Sequence, residues 1–332
     1  MAEKKYNINQ RRLRANAHIR ELASDVNLSH KDFIQPLFID ENISVRTPIA
    51  SLSEVNSDTI ETAIEQIESD LQQGISKFLL FPVPKTKSEN EFNFDFVVAG
   101  VKKIKEVFGS KIWLVVDVCL CAYTSHGHCG IMNLDKTKVL NNETVKVLAN
   151  YSLHLAKAGA DCIAPSDMMD GRIAAIRAIL DDDNFDDISI MSYSSKFSSQ
   201  FYGPFRDACK SSPDSTIALK DRKSYQASFF NKKDVITSTC RDISDGADIV
   251  MVKPAIPYLD IIQELSKLVN VPLVAYHVSG EYQSIELLAQ NKLVDRSKAH
   301  VEVWTSLKRA GANSIISYAS RYAKKWIAEI EY

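Results

Sequence analysis

The sequence has no apolar run that could cross a bilayer. A stretch such as "IWLVV" (112–116) falls far short of the roughly 20 residues a spanning helix needs. It also lacks an excess of charge, with 40 Lys and Arg against 42 Asp and Glu, a formal charge of −2. That balance offers no global attraction to nucleic acid or to a membrane surface. The basic opening "MAEKKYNINQRRLRANAHIREL" is followed by no apolar signal core, and Glu3, Glu21 and the scarcity of serine argue against a mitochondrial presequence. A cytoplasmic protein is the expectation. Six cysteines in 332 residues, without a secretion signal, are no disulfide framework.

What is present is a repeated phrase. "KAGADCIAP" (157–165), "DGADIVMVKP" (245–254) and "RAGANSIISY" (309–318) each run from a helical segment through a glycine into a short apolar strand, and "QQGISKFLLFPV" (72–83) is a looser copy. The glycine suits the left-handed residue that ends a helix, and the apolar run suits a strand buried on both faces. Strands are expected near 34–39, 77–82, 112–118, 161–165, 188–193, 248–253, 272–277 and 313–318. Amphipathic helices lie between most of them, one capped by Asp58 and another opening at Pro257. Eight alternations predict a (β/α)8 TIM barrel over 33–332, with an open doubly wound sheet as the alternative. No G-x-G-x-x-G follows the first strand, which weakens the dinucleotide-binding version of that alternative. Residues 1–32 stand outside the alternation and read either as an N-terminal arm packing on a neighbouring subunit or as a disordered tail. The stretch 194–230 lacks periodicity and reads as a functional lid loop.

In a barrel, chemistry gathers where the strands end. Those ends carry Asp117, Cys119 and Cys121, then Ser166 and Asp167, then Lys196, Lys253, Ser279 and Tyr318. Lys253 closes an otherwise apolar strand, so burial would strip its proton and leave an amine able to attack a carbonyl. A lone lysine there more often snorkels to the rim. Lys196, ending an adjacent strand, would depress both pKa values and favours amine catalysis. Arg206 and Arg222 bracket the lid, as a clamp for an anionic substrate would, although loop arginines are commonly only solvated. Cys119, Cys121 and Cys129 follow C-x-C-x7-C, a spacing that turns three soft thiolates toward one zinc ion with one coordination position open. Structural zinc would need a fourth ligand, which His126 or His128 could supply. Position at a strand end favours the catalytic form.

With these residues in place, the chain resembles the porphobilinogen synthase (5-aminolevulinate dehydratase) family. The matching phrases are "RRLR", "FIQPLFI", "DVCLCAYTSHGHCG", "APSDMMDGRI", "MSYSSKFSSQFYGPFRDA", "DRKSYQ", "ADIVMVKPAIPYLDI", "VSGEY" and "ISY". The resemblance implies a TIM barrel with an arm, condensing two 5-aminolevulinate molecules to porphobilinogen in tetrapyrrole (heme) biosynthesis. It implies Schiff bases at Lys253 (P site) and Lys196 (A site), with Ser279 and Tyr318 on the P-site carboxylate. Arg206 and Arg222, with Gln226 nearby, would hold the A-site carboxylate. Cys119, Cys121 and Cys129 would bind zinc, leaving His126 and His128 beside the metal rather than on it. It also implies a homo-octamer assembled through the arms. Three positions depart from the family pattern. Ala122 replaces a common Pro, and Lys220 replaces a Gly after a short insertion in the lid. Ser238 stands where many bacterial relatives carry the glutamate of an allosteric magnesium site, which is therefore expected to be absent or weakened. The rivals are a class I aldolase, which needs one lysine and no thiolate metal, and a catalytically dead zinc-binding relative.

Overall fold

The structure is a computed structural model that describes residues 9–330. Eight parallel strands form its centre: β1 (Phe33–Asp40), β2 (Lys77–Val83), β3 (Trp113–Val118), β4 (Cys162–Pro165), β5 (Ser189–Lys196), β6 (Ile249–Lys253), β7 (Leu273–His277) and β8 (Ser314–Ser317). Each pairs with the next, and β8 returns to β1 with Phe33 opposite Ile315 and Ile34 opposite Ile316. The sheet is therefore a closed barrel, which removes the open-sheet alternative. The crossover helices are α1 (Ile60–Gln72), α2 (Asp95–Phe108), α3 (Asn141–Lys157), α4 (Arg172–Asp182), α5 (Lys232–Ser244) and α6 (Leu259–Leu268). A pair, α7 (Ser279–Gln290) and α8 (Arg296–Arg309), makes the last crossover. Strands covered on both faces can be apolar at nearly every position, and β1 is buried along all eight residues.

Local chemistry sets the ends of these elements. The cap of α1 is Thr59 rather than Asp58: its hydroxyl accepts from the Thr62 amide while the Thr62 hydroxyl accepts from the Thr59 amide. Asp58 instead takes hydrogen bonds from Thr62 and Arg46. Pro257 falls in a 3-10 turn (Ile256–Tyr258) ahead of α6 rather than in the helix. Gly159 and Gly246, at φ +98° and +104°, turn α3 and α5 into the following strands. Before β1, a 3-10 turn (Gln10–Arg14) and a short helix (Ala17–Leu22) contain no buried residue.

Strand β5 is not regular. Ser192 pairs with Val250, but Ser195 rather than Ser194 pairs with Val252, so one extra residue bulges from β5 before Lys196 meets Lys253. Ser192 and Ser195 both face the helices: Ser192 bonds Asp242 and Arg172, and Ser195 bonds Thr239. Strict alternation from Ser192 would have sent Lys196 outward among those helices. The bulge turns it into the barrel.

Outside the barrel, between β4, β5 and α5, lies a buried ion network. Arg172, 1% exposed, donates to Asp242 at 3.1 Å, to Ser192 at 3.2 Å and to the Met169 carbonyl at 3.0 Å, with Asp167 at 3.6 Å. Removing one partner of such a pair leaves a charge in a dry place. Asp242→Ala is expected to cost about 3 kcal/mol of stability. Urea unfolding checks this, and a loss below about 1 kcal/mol would mean that Asp167 suffices as counter-ion.

Candidate active site

The C-terminal ends of the strands converge beneath the segment between β5 and α5. This segment carries a 3-10 turn (Gln200–Tyr202) and a short helix (Gly203–Ala208). Asp117, Cys121, Ser166, Lys196, Tyr202, Phe205, Arg222 and Lys253 line one enclosed cavity there. Lys196 and Lys253 are neighbours in register, the last residues of β5 and β6, and both are buried. The Lys196 ammonium donates to the Ser166 carbonyl. The Lys253 ammonium stands over four aromatic rings, with centroid distances of 4.2 Å to Tyr276, 4.8 Å to Phe205, 4.9 Å to Tyr193 and 5.5 Å to Tyr202.

Burial and then the neighbouring Lys196 pull the Lys253 pKa down to about 7, against the raising effect of Asp117. At neutral pH much of it is therefore free amine. Burial pushes the Asp117 carboxyl up, with the two lysines opposing, and its Oδ1 has no hydrogen-bond partner. Asp117 stood among the strand-end residues of the sequence without a role; here it is the carboxylate beside both amines. Tyr193, Tyr202, Phe205 and Tyr276 were not anticipated at all. Tyr276 could have been found by counting alternate positions along β7, whereas Tyr202 and Phe205 come from the segment without periodicity.

The sulfurs of Cys119, Cys121 and Cys129 lie within 4.8 Å of one another, all three residues buried. Four-coordinate zinc with Zn–S near 2.3 Å sets sulfurs about 3.8 Å apart, so the trio fits such an ion after slight contraction. Hydrogen bonds from Cys119 and Cys121 hold the Cys129 thiol well below its ordinary pKa, while burial pushes Cys119 well above its own. Neither histidine joins the cluster among the described residues. His128 Nε2 donates to the Leu219 carbonyl at 2.8 Å, so Nδ1 accepts from the Tyr225 hydroxyl at 3.0 Å. The Tyr225 oxygen in turn accepts from the Cys129 amide at 3.3 Å. His126 Nδ1 accepts from the His128 amide at 3.1 Å. The two histidines brace the loop that presents Cys129.

The expected anion clamps are grouped but differently engaged. Arg222, 4% exposed, donates to the carbonyls of Gly127 at 2.8 Å and Ser211 at 2.6 Å. Burial opposes its charge, but Cys129 and Cys121 outweigh burial and raise its pKa. The pKa of Arg206, on the short helix, is lowered by burial and then by Arg222, and its buried Nε has no partner among the described residues. Gln226 is buried, and both its amide atoms lack a partner among the described residues. The Ser279 hydroxyl is engaged with the covering segment, accepting from the Phe205 amide at 3.0 Å and donating to the Phe201 carbonyl at 3.3 Å. The Tyr318 hydroxyl lies 3.2 Å from that of Tyr276.

Fold and site together define a (β/α)8 enzyme with paired buried amines beside a thiol cluster able to hold a metal ion. The family model of delta-aminolevulinic acid dehydratase matches residues 7–326. The delta-aminolevulinic acid dehydratase of Bacillus subtilis is 38% identical over 323 residues, covering 96% of this chain and 98% of that protein. The one from Methanothermus sociabilis is 41% identical over 324 residues, with 96% and 98% covered. The crystal structure of the Toxoplasma gondii delta-aminolevulinic acid dehydratase (porphobilinogen synthase), in complex with its reaction product porphobilinogen, superposes with a TM-score of 0.93 at 36% identity. It covers 98% of this chain and 93% of that one. The chain belongs to the delta-aminolevulinic acid dehydratase family.

The low Lys253 pKa has a measurable consequence. Imine formation needs the neutral amine, whose fraction rises as pH climbs through about 7. Reductive trapping of 4-oxopentanoate on Lys253, followed by peptide mass mapping, should therefore rise about tenfold from pH 6 to 8 and then level off. A rate still climbing steeply at pH 9 would mark an ordinary lysine.

Proposed function

We propose that this chain, a lyase, condenses two 5-aminolevulinate molecules to porphobilinogen with loss of two waters, as a step of tetrapyrrole (heme) biosynthesis. The observation that carries this reading is the register of Lys196 beside Lys253 in one cavity with Cys121 of the thiol cluster. Lys253 attacks the ketone of the first substrate, and Lys196 that of the second. Each carbinolamine loses water to a protonated imine, an electron sink that makes the adjacent carbon acidic. Asp117, beside both amines and raised by burial, carries protons between these steps. Ser279 and Tyr318 hold the carboxylate of the first substrate, and Ser279 releases its lid contacts to do so. Arg206, Arg222 and Gln226 hold that of the second, with the two arginine Nε–H groups and the Gln226 Nε2 amide donating to it. The lid above them keeps water from the imines.

Cys119, Cys121 and Cys129 would hold zinc, the ion that three clustered thiolates suit. When bound, zinc supplies a Lewis acid that keeps the second substrate's amino group unprotonated and nucleophilic. No step is assigned to magnesium, because Ser238 of α5 offers no carboxylate where the allosteric site of relatives has one. The exposed arm supports assembly through neighbouring copies, into the homo-octamer that the family resemblance suggests. A smaller particle in light scattering would count against that. Among the described residues no helix is long and apolar enough to cross a membrane; the reading keeps a cytoplasmic location, without nucleic-acid or membrane partners.

The decisive test is direct. Pure protein given 5-aminolevulinate and zinc should form porphobilinogen, with borohydride adducts at Lys253 and Lys196. Absence of product, or adducts elsewhere, would sink the assignment. Stripping the metal should abolish activity, zinc should restore it, and added magnesium should leave the rate of the zinc-loaded protein unchanged. Cys129→Ala should lose both zinc and activity while keeping the barrel's circular dichroism; unfolding of that variant would make the metal structural.

A further inference from the structure

Glu281 is a buried acid for which neither the proposed chemistry nor any ion pair gives a reason. It sits in the first turn of α7, 2% exposed, and among the described residues no salt bridge reaches it. Its carboxylate is instead crowded by backbone donors. Oε1 accepts from the amides of Ile256 at 2.7 Å and Ala255 at 3.2 Å, and Oε2 accepts from the Val278 amide at 2.7 Å.

Those donors are not arbitrary. Ala255 and Ile256 begin the loop two and three residues beyond Lys253, and Val278 immediately precedes Ser279. One carboxylate thus ties the end of β6 to the start of α7. The same turn of α7 also seats the lid. Ser279 bonds Phe205 and Phe201, and a Cβ at Gly280 would lie 2.7 Å from the Phe201 carbonyl oxygen, so the lid backbone packs directly on that glycine. Phe205 in turn lies over Lys253, and the Tyr202 hydroxyl donates to the Lys253 carbonyl at 3.0 Å. Lysine, anchor and lid meet at one junction, with Glu281 beneath it. Burying a carboxyl without a cation is costly, and burial pushes this one up to about 8 against its three amide donors. An apolar residue would pack there at less cost but could not gather three amides from two loops.

We propose that Glu281 is a positioning residue for the condensation, holding Lys253 in register with Ser279 by bridging the β6 and β7 loop backbones. This rests on the two-imine reading above. Glu281→Gln keeps the size but turns an NH2 group toward backbone donors, which breaks the bridge on one side. Porphobilinogen formation should fall about 10- to 100-fold in this variant, as expected for a misplaced reacting group. The selective readout is the ratio of 4-oxopentanoate adducts at Lys253 and Lys196 under cyanoborohydride at pH 8. That ratio should drop about tenfold, with zinc content and the Lys196 adduct unchanged. General loosening of the barrel would lower both adducts together, and that result, like an unchanged ratio, overturns the proposal. If Glu281→Gln does not fold, Glu281→Asp, which keeps the carboxyl group but shortens its reach, is judged by the same ratio. Should the unaltered protein make no porphobilinogen, the condensation reading fails, while the adduct ratio still decides whether Glu281 sets Lys253.

Discussion

Two amines held side by side away from water are the constraint around which the rest of this barrel is arranged. Lys196 and Lys253 end adjacent strands in matching register, and in a dry pocket two ammonium heads so placed repel with little solvent to screen them. Burial and the neighbouring Lys196 favour the neutral amine of Lys253. The rings of Tyr193, Tyr202, Phe205 and Tyr276 around Lys253 sharpen the point. A small ammonium loses a great deal when it is dehydrated, and ring faces return only a kcal/mol or two. A protonated imine spreads its charge over a larger, less hydrated group that aromatic faces accommodate more readily. The same lining therefore favours the neutral amine of Lys253 and would tolerate a protonated imine formed on it.

Charge closure extends this constraint to the whole site. Lys196, Lys253, Arg206 and Arg222 bring up to four positive charges, and the one carboxylate among the cavity-lining residues is Asp117. Three thiolates around a divalent ion add one net negative charge beside Arg222, whose pKa Cys129 and Cys121 raise. Even with Lys253 neutral the site keeps a net positive charge, which an anionic substrate would offset. Arg222 donates to the Gly127 and Ser211 carbonyls and Ser279 bonds the backbone of the covering segment, so both rest on neutral partners.

Much of this was legible in the residues. The glycine-to-strand phrases marked β2, β4, β6 and β8, and buried strands announce themselves as apolar runs that end in something polar. The lysines, the lid arginines and the cysteine spacing could be picked out because charged or thiol groups at the end of such runs are unusual. The inward aim of Lys196 was not legible. It depends on a bulge after Ser192, and the serines that follow satisfy either face equally well. Nor could spacing decide the fate of His126 and His128. His128 instead meets a carbonyl at Leu219 and a hydroxyl at Tyr225, roughly ninety residues further along the chain, and His126 takes the His128 amide. The cap of α1 slipped by one residue because Asp58 and Thr59 are both good caps, and Arg46 claims the aspartate.

Glu281 belongs with what sequence cannot rank. A glutamate in the first turn of a helix is an ordinary cap partner, and nothing in "VSGEY" announces that its second oxygen reaches the loop one strand earlier in the chain. Its importance follows from topology. In a barrel, neighbouring strands end at the same rim, so the loop after β6 and the helix start after β7 lie beside each other whatever their sequences. Both loops expose amides there that no strand can satisfy. A single buried carboxyl group satisfies three of them and, in doing so, ties the loop after Lys253 to the start of α7. A catalytic amine that must meet its substrate within a fraction of an ångström needs such a frame, because side-chain rotamers alone leave it loose.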